Sequence, residues 1–248
     1  MTLNDFFARY PRVAIAFSGG VDSAYLLYAA TRYARAVQAY YVKSDFQPQF
    51  ELEDAQRLAE DMHAALKVLR VDVLSDANVT ANPPNRCYFC KRRIFETIRA
   101  QAAADGFSVL LDGTNASDDV NDRPGVRALE ELSVLSPLRM CSLTKDEIRR
   151  LSKEAGLFTW DKPAYACLAT RIPSGDAITL EKLRATERAE GALFAMGFRD
   201  FRVRRMGDAA KLQLRDDQLN MALANRERIL SALRGDYSAV LLDLEVRK

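Results

Sequence analysis

The chain has 248 residues, of which 48% are hydrophobic and 28% charged, with 36 Lys and Arg against 34 Asp and Glu. This balance is typical of a folded globular protein and argues against a disordered chain, a disulfide-rich mini-protein and a nucleic-acid-binding domain. No stretch approaches the ~20 apolar residues of a membrane span, and charges interrupt the first residues where a signal peptide has an apolar core. We therefore expect a cytoplasmic protein without a membrane partner, whose four cysteines are not bridged.

Strand and helix patterns alternate through the first 160 residues. Apolar runs predict strands over residues 12–17, 37–42, 66–73 and 108–112, and helical spacing predicts helices over 22–35, 51–64 and 92–104. Thr144 and Glu147 form a capping box that opens a further helix, which Gly156 closes. The alternation predicts βαβ units, and hence an α/β domain with a parallel sheet covered by helices on both faces.

The pattern changes after Trp160. Residues 161–178 contain prolines and glycine or serine breakers without a clear period, which predicts a linker or active-site loop. A small α+β domain follows, with helices predicted over 179–196 and 217–234 and strands over 201–206, 210–214 and 239–246. The predicted division is therefore 1–160, 161–178 and 179–248, the last part serving substrate binding or oligomerisation.

A glycine-rich string, Ser18-Gly19-Gly20-Val21-Asp22-Ser23, joins the first predicted strand to the first predicted helix. The two glycines let the backbone approach a ligand closely, and the start of the helix offers N–H groups and a positive dipole end. Ser18 and Ser23 add hydroxyl donors. The string therefore predicts a phosphate-binding loop, although a simple Gly-Gly helix cap is the alternative, and neither the Gly-Lys-Ser/Thr nor the G-x-G-x-x-G pattern is present.

This string resembles the PP-loop ATP pyrophosphatases, which have an adenine nucleotide alpha hydrolase-like, Rossmann-like fold. The resemblance implies ATP and Mg²⁺ as cofactors, transfer of AMP to a substrate oxygen and release of pyrophosphate. The loop would hold the pyrophosphate while Asp22 helps to hold Mg²⁺. Thr114 and Asn115 follow the fourth predicted strand, and would bind nucleotide at the same carboxyl edge of the sheet.

The cysteines offer a second possible site. Cys87 and Cys90 form a C-x-x-C pair. We predict that Cys87 lies in a loop, because two prolines precede it, and that Cys90 lies at the start of a helix. Neighbouring basic residues and the helix start favour the thiolate form of both cysteines. Cys167 lies in the predicted linker, where function is common, although a small buried cysteine is the alternative. Zinc bound by all four cysteines, a redox pair, and three thiolates on an iron–sulfur cluster with one open iron are the candidate chemistries. Cys141 is interpreted as a core residue.

Three segments that follow the phosphate-binding loop narrow the resemblance. They are Asn-Pro-Pro-x-Arg-Cys-Tyr-x-Cys-Lys, Asp-Gly-Thr-Asn and Ala-Cys-Leu-Ala-Thr-Arg, in this order. With that loop they resemble the LarE family of ATP-dependent sulfur transferases, which help to make the nickel-pincer nucleotide cofactor of lactate racemase, from Ser18 to about Leu214. The resemblance implies that a carboxylate of a small nucleotide, pyridinium-3,5-biscarboxylic acid mononucleotide, is adenylated and that sulfur then replaces AMP. It also suggests a homo-oligomer.

The family has two sources of sulfur. In one branch a single cysteine gives up its own sulfur and becomes dehydroalanine, and that cysteine would be Cys167 here. In the other branch three cysteines hold a 4Fe–4S cluster that carries an extra sulfur. The presence of Cys87 and Cys90 together with Cys167 fits the three-cysteine branch.

A basic strand is the remaining candidate site. The alternation of side chains along a strand places Arg202 and Arg204 on one face and Arg205 on the other. Arg202 and Arg204 could therefore clamp a nucleotide phosphate. Glu190, on the preceding predicted helix, could orient one of these arginines or hold a metal ion. A solvated strand face is the alternative, but the resemblance implies phosphate binding by an Arg-Val-Arg that follows an Ala-Glu helix.

Three competing functions are a PP-loop enzyme that thiolates tRNA, an amidating synthetase of the same fold, and a zinc-stabilised nucleotide-binding module. Residues 181–248 carry only a small surplus of basic side chains, which argues against RNA. An amidating synthetase needs an ammonia source, and the chain shows no nucleophilic N-terminal cysteine. The single histidine, His63, is predicted to lie in a helix far from these motifs, which argues against a histidine-based catalytic triad or a zinc protease.

Overall fold

The computed structural model describes residues 1–119 and 124–247, which divide into two compact units. The first unit contains Met1–Val73 and Asn85–Lys162, and the second contains Leu74–Pro84 and Pro163–Lys248. The division predicted from the sequence does not place residues 74–84 in the second unit. Hydrogen bonds explain the observed grouping, because Asn82 Nδ2 donates to the carbonyl of Pro173 at 2.7 Å and Gly175 N donates to the carbonyl of Asn82 at 2.9 Å.

The described elements of the first unit alternate between helices and strands as far as the fourth strand, after which three helices follow in succession. In chain order the first six are α1 (Leu3–Arg9), β1 (Arg12–Ala16), α2 (Val21–Tyr33), β2 (Ala36–Lys43), α3 (Gln49–Asp61) and β3 (Leu66–Arg70). The next helix, α4 (Ala77–Thr80), belongs to the second unit. The first unit then continues with α5 (Arg86–Ala104), β4 (Leu110–Leu111), α6 (Pro124–Glu131), α7 (Pro137–Met140) and α8 (Lys145–Glu154).

The four strands form a parallel sheet in the order β3-β2-β1-β4, with Ile15 of the central strand β1 paired with Ala39 on one side and Leu111 on the other. Side chains of a strand alternate between the two faces. Tyr41 accordingly packs in the apolar core with residues of α1, α2, α3 and α8, whereas the hydroxyl of Tyr40 donates to Asp105, at the end of α5. Helices therefore cover both faces, and the predicted α/β fold is confirmed.

The second unit continues, after a 3₁₀ turn at Leu168–Arg171, with α9 (Leu180–Ala195), β5 (Arg202–Met206), β6 (Ala209–Gln213), a 3₁₀ turn at Asp216–Gln218, α10 (Leu219–Ala224), α11 (Arg226–Leu233) and β7 (Val240–Leu242). Strands β5 and β6 form the predicted antiparallel hairpin, and β7 lies parallel to β6. The sheet packs on α9 and α11 around an apolar core that includes Leu193, Val203 and Leu233.

Several helices differ from those predicted from the sequence. Helix α1 was missed, although Thr2 and Asp5 form a complete capping box. Helix α5 begins at Arg86 rather than at residue 92, because proline restricts the residue before it and leaves the chain free to enter a helix soon after. The helix predicted over 217–234 is broken at Asn225, which ends α10 and precedes α11.

In the described part of the chain, no helix is long and apolar enough to cross a membrane.

Candidate functional site

The turn after β1 is a loop, Ser18–Ser23, that is closed by its own hydroxyl groups; we call it the phosphate loop. Ser18 Oγ lies 2.9 Å from Ser23 Oγ, and the backbone N–H of Ser18 donates to Ser23 Oγ at 3.2 Å. Ser23 Oγ in turn donates to the carbonyl of Gly20 at 3.1 Å. These bonds hold the loop against the start of α2.

Two glycines allow the phosphate loop to pack closely on its neighbours. Gly19 has φ +74°, and a Cβ atom there would lie 3.2 Å from Cβ of Ala55 in α3. At Gly113, in the loop after β4, a Cβ would lie 3.0 Å from the backbone nitrogen of Ser23. A side chain at either position would push α3 or the β4 loop away from the phosphate loop.

The start of α2 is open to a ligand. Its N-cap residue, Gly20, has no side chain to accept from the first turn, whereas Thr144 and Glu147 form the predicted capping box on α8. The N–H groups in the first turn of an uncapped helix, together with the positive end of its dipole, favour an anion. The phosphate loop therefore has the donors that a phosphate group requires.

Asp22 lies in the first turn of α2 and contacts two other segments. Its Oδ1 accepts from Asn115 Nδ2 at 3.3 Å, and its Oδ2 lies 2.5 Å from Lys145 Nζ. Asn115 is buried, whereas the Asp22 side chain keeps 23% of its surface exposed and is therefore accessible to a metal ion or ligand. Sequence analysis missed Lys145, whose only signal was its place at the first residue of a predicted helix.

Thr114 is held by the turn in which it lies. Its hydroxyl donates to Asp112 Oδ2 at 2.5 Å, and Asp112 Oδ1 accepts from Ser136 Oγ at 2.6 Å. Asp112 is buried, so these bonds fix the end of β4 beside Asn115. The structure thus brings Asn115 to Asp22, while the hydroxyl of Thr114 stabilises the turn; nucleotide binding by Thr114 stays a prediction.

Cys87 and Cys90 lie in the first two turns of α5, so placing Cys87 in a loop was wrong. Their spacing puts them on one side of the helix, with Cys87 exposed and Cys90 buried. Asn85, the N-cap, makes no side-chain cap bond. Among residues 1–119 and 124–247, no three His, Cys, Asp or Glu side chains are grouped so that they could hold a metal ion.

Cys141 has the environment expected of a core residue. It packs against the apolar core of the first unit, and burial raises the pKa of its thiol. A raised pKa reduces the thiolate fraction, which disfavours metal binding and nucleophilic chemistry at this position.

Cys167 begins the 3₁₀ turn Leu168–Arg171. Its carbonyl accepts from the backbone N–H of Thr170 at 3.0 Å and from the Thr170 hydroxyl at 2.8 Å. The Arg171 guanidinium donates to the carbonyl of Ala166 at 3.2 Å and to the Thr170 hydroxyl at 2.7 Å. The segment 164–171, which we call the cysteine loop, is therefore an ordered structure of the second unit.

Glu190 of α9 anchors the cysteine loop through a buried ion pair. Its carboxylate accepts from Arg171 Nε at 2.7 Å and Arg171 Nη2 at 3.2 Å, from the Tyr165 hydroxyl, and from the backbone N–H of Val203 at 2.9 Å. Glu190 and Arg171 are each 1% exposed. Glu190 thus orients Arg171 rather than Arg202 or Arg204, and its four donors occupy the acceptor sites that a metal ion would need.

Arg202 and Arg204 also bind the cysteine loop. Arg202 donates to the carbonyl of Ala164, and Arg204 donates to the carbonyl of Thr170 at 2.6 Å. The predicted separation of faces is confirmed, because Arg205 instead lies over the ring of Tyr237, 5.0 Å from its centroid.

Positive charge is concentrated around these arginines. Burial, followed by the nearby charges of Arg171 and Arg247, lowers the pKa of Arg202 to about 10, and the same causes lower the pKa of Arg204. Glu190 and Asp200 offset this charge only in part. Buried guanidinium groups with excess positive charge favour an added anion, which is what a phosphate-binding site requires.

We expect Glu190→Ala to lower the free energy of unfolding by about 3–5 kcal/mol, because it leaves the Arg171 charge buried without its partner. Arg188→Ala is the matched control on the same helix, since Arg188 forms an exposed pair with Asp236 that is worth at most about 1 kcal/mol. Urea unfolding followed by circular dichroism measures both variants. Equal losses in the two would show that the buried pair does not stabilise the second unit.

Comparisons with known proteins agree with this geometry. Residues 12–84 match the family model of the queuosine biosynthesis protein QueC. The chain is 37% identical over 250 residues to an uncharacterized Synechocystis protein, covering 98% of this chain and 92% of that one. It is 31% identical over 236 residues to the pyridinium-3,5-bisthiocarboxylic acid mononucleotide synthase of Lactiplantibacillus plantarum, covering 94% and 86% of the two chains.

A more distant similarity is to the tRNA-specific 2-thiouridylase MnmA of Pseudothermotoga lettingae, at 28% identity over 66% of this chain and 57% of that protein. The match to the synthase, by contrast, covers 94% of this chain, and the identity over that length is above 30%. The chain therefore belongs to the LarE family of ATP-dependent sulfur transferases.

Proposed function

We propose that this enzyme adenylates a carboxylate of pyridinium-3,5-biscarboxylic acid mononucleotide and then replaces AMP with sulfur to give a thiocarboxylate. The observation that carries the proposal is the phosphate loop at the uncapped start of α2, with Asp22 beside it. The synthase of L. plantarum supports the choice of acceptor, because its name specifies the bisthiocarboxylic acid mononucleotide as product.

Adenylation uses the phosphate loop. A carboxylate oxygen of the acceptor attacks the α-phosphorus of ATP, the bond from that phosphorus to the bridging oxygen breaks, and pyrophosphate leaves with the electron pair. The N–H groups at the start of α2 stabilise the charge that develops on the pyrophosphate. Asp22 would hold a Mg²⁺ ion, which supplies charge neutralisation to the phosphates.

The arginines of β5 are suited to the phosphate of the mononucleotide. Arg202 and Arg204 share one strand face and lie in a region of excess positive charge. Each guanidinium has five N–H donors, so the bonds to the cysteine loop leave further donors for a phosphate. Tyr165, whose ring lies 5.2 Å from the Arg202 guanidinium, supplies an aromatic surface beside them.

Sulfur transfer completes the reaction when a sulfur nucleophile attacks the adenylated carbonyl carbon and AMP departs. We assign this step to Cys87, Cys90 and Cys167 together, because an all-thiolate set suits iron and sulfur. These three cysteines would hold a 4Fe–4S cluster, which would supply the sulfur as an external sulfide. The alternative is direct attack by the Cys167 thiolate, after which a base removes the Cα proton, the Cβ–S bond breaks, and the thiocarboxylate leaves with that electron pair to give dehydroalanine.

We expect Asp22→Asn to reduce ATP-dependent pyrophosphate release at least a hundredfold, because the amide keeps the shape of the side chain and removes the charge that a metal ion needs. A coupled pyrophosphate assay with the pyridinium mononucleotide as acceptor measures the effect. Asp61→Asn, at the exposed end of α3, is the control. Undiminished release in Asp22→Asn would remove the phosphate loop from the reaction, and release with tRNA as the only productive acceptor would favour a tRNA-thiolating enzyme.

Arg202→Ala and Arg204→Ala should each weaken binding of the mononucleotide about tenfold or more, since a charge-assisted hydrogen bond contributes roughly 1.5–3 kcal/mol. ATP affinity should change little. Calorimetric titration of each ligand separates the two effects. If the variants bind the mononucleotide normally and lose ATP, these arginines belong to the ATP site.

We expect Cys87→Ala, Cys90→Ala and Cys167→Ala each to lose the brown chromophore of an anaerobic preparation together with sulfur transfer, while acceptor-dependent pyrophosphate release persists. Cys141→Ala is the matched control and should change neither, since that thiol packs against the core. Visible absorption, iron analysis and mass spectrometry make the measurement. Protein without iron, whose Cys167 becomes lighter by one hydrogen sulfide after a single turnover, would establish the sacrificial cysteine instead.

A further inference from the structure

Asp243, the residue after β7, binds two side chains of the neighbouring strand β6. Its Oδ2 accepts from Lys211 Nζ at 2.8 Å and from Gln213 Nε2 at 2.9 Å. Its backbone N–H donates to the carbonyl of Leu212 at 2.9 Å, and its Oδ1 accepts from the backbone N–H of Glu245 at 3.3 Å. The carboxylate is therefore held against β6 through both its side chain and its backbone.

Lys211 and Gln213 lie on the same face of the sheet as the two arginines of β5. Arg204 is directly opposite Lys211, and Arg202 is directly opposite Gln213. Opposite residues of antiparallel strands share a face, and like charges at such positions repel. Asp243 offsets the Lys211 charge, whereas Gln213 connects Asp243 to Arg204.

The side-chain amide of Gln213 has one orientation in this network. An amide has an NH₂ group that donates and an oxygen that accepts, whereas an ionised carboxylate only accepts. Hydrogen bonds from Lys211 and then from Gln213 lower the pKa of Asp243 to about 2, so this carboxylate is ionised at neutral pH. Because the NH₂ group must face Asp243, the amide oxygen faces Arg204 and accepts from its Nε at 2.5 Å.

Arg204 is held at two of its three guanidinium nitrogens. Nε donates to Gln213, and Nη1 donates to the carbonyl of Thr170 at 2.6 Å. Because the guanidinium group is a rigid, planar fork, bonds at two nitrogens fix the direction of the third. Within residues 1–119 and 124–247, Nη2 has no hydrogen-bond partner, so its donors are left for a ligand.

We propose that Asp243 is a positioning residue for the phosphate of the mononucleotide: through Gln213 it holds the Arg204 guanidinium in the orientation in which Nη2 donates to a phosphate oxygen. Asp243 does not itself touch the ligand. The amide of Gln213 fixes Arg204 without bringing a negative charge to it, so the guanidinium keeps its attraction for the phosphate. The inference rests on the proposed binding of phosphate by Arg204, and it is independent of the sulfur source.

Asp243→Ala tests the proposal, because it leaves the Gln213 amide free to rotate. In calorimetric titrations, the pyridinium mononucleotide and ribose 5-phosphate should each bind about fivefold more weakly, as expected when one positioned hydrogen bond is lost. The dephosphorylated pyridinium nucleoside and ATP should bind as before. Loss of a carboxylate would by itself strengthen the binding of an anion, so the expected change is opposite in sign to a purely electrostatic effect.

Three further variants separate positioning from a structural role. Asp243→Asn keeps an oxygen that can accept from Gln213, and should restore both affinities to within about twofold of the unaltered protein. In an Arg204→Ala background, Asp243→Ala should weaken binding no further, because Asp243 acts only through Arg204. Asp236→Ala is the matched control, since that carboxylate also pairs with a basic side chain, Arg188, and it should change none of these affinities. Thermal unfolding establishes that each variant is folded.

Unchanged binding of both phosphate ligands in Asp243→Ala, or a further loss in the Arg204→Ala background, would overturn the proposal. Phosphate ligands whose binding Arg204→Ala does not weaken would overturn it as well. If Asp243→Ala does not fold, Gln213→Met makes the same test and should show the same losses, because it removes the amide oxygen and keeps the length of the side chain.

Ribose 5-phosphate separates this inference from the proposed function, because it has no carboxylate to be adenylated. If its binding depends on Asp243 and Arg204 while the mononucleotide elicits no pyrophosphate release, the proposed function is rejected and the role of Asp243 stands. If the mononucleotide elicits release but neither phosphate ligand depends on Asp243, the proposed function stands and the positioning role is rejected.

Discussion

The buried ion pair between Arg171 and Glu190 organises the second unit. One carboxylate joins α9 to the 3₁₀ turn through Arg171, to the cysteine loop through Tyr165, and to β5 through the backbone of Val203. Two charges that are each 1% exposed are costly to bury, and only a complete set of hydrogen bonds compensates for that cost. The conformation of the cysteine loop, which carries Cys167, therefore depends on the ion pair that its last residue, Arg171, makes with Glu190.

A different constraint governs the first unit. Parallel strands bring their carboxyl ends to one edge of the sheet, where the turns after β1 and β4 must pass each other. The close contact of Gly113 with the backbone of Ser23 shows how little space remains between these turns. The same packing places Asn115 against Asp22, so the close backbone approach at Gly113 acts together with the side-chain hydrogen bonds that hold the phosphate loop.

The sequence predicted the features that are determined by interactions between residues close together in the chain. The phosphate loop, the capping box of α8 and the hairpin of β5 and β6 depend on residues close in the chain, and the structure has all three. Contacts between distant residues were not accessible in this way. Lys145 is 123 residues from Asp22, and Glu190 pairs with Arg171, which sequence spacing alone does not distinguish from Arg202 or Arg204. The start of α5 was missed because two prolines were interpreted as a longer loop than they enforce.

Around the arginines of β5, hydrogen-bond donors are satisfied by backbone carbonyls, whereas the positive charge is offset only in part. The carbonyls of Ala164 and Thr170 satisfy donors of Arg202 and Arg204, but a carbonyl is neutral and does not offset a guanidinium charge. Burial, followed by the charges of Arg171 and Arg247, lowers the pKa of both guanidinium groups. Asp200, whose Oδ1 lies 3.8 Å from Arg202 Nη1, offsets part of the Arg202 charge. The remaining positive charge supports the phosphate-binding role proposed for Arg202 and Arg204.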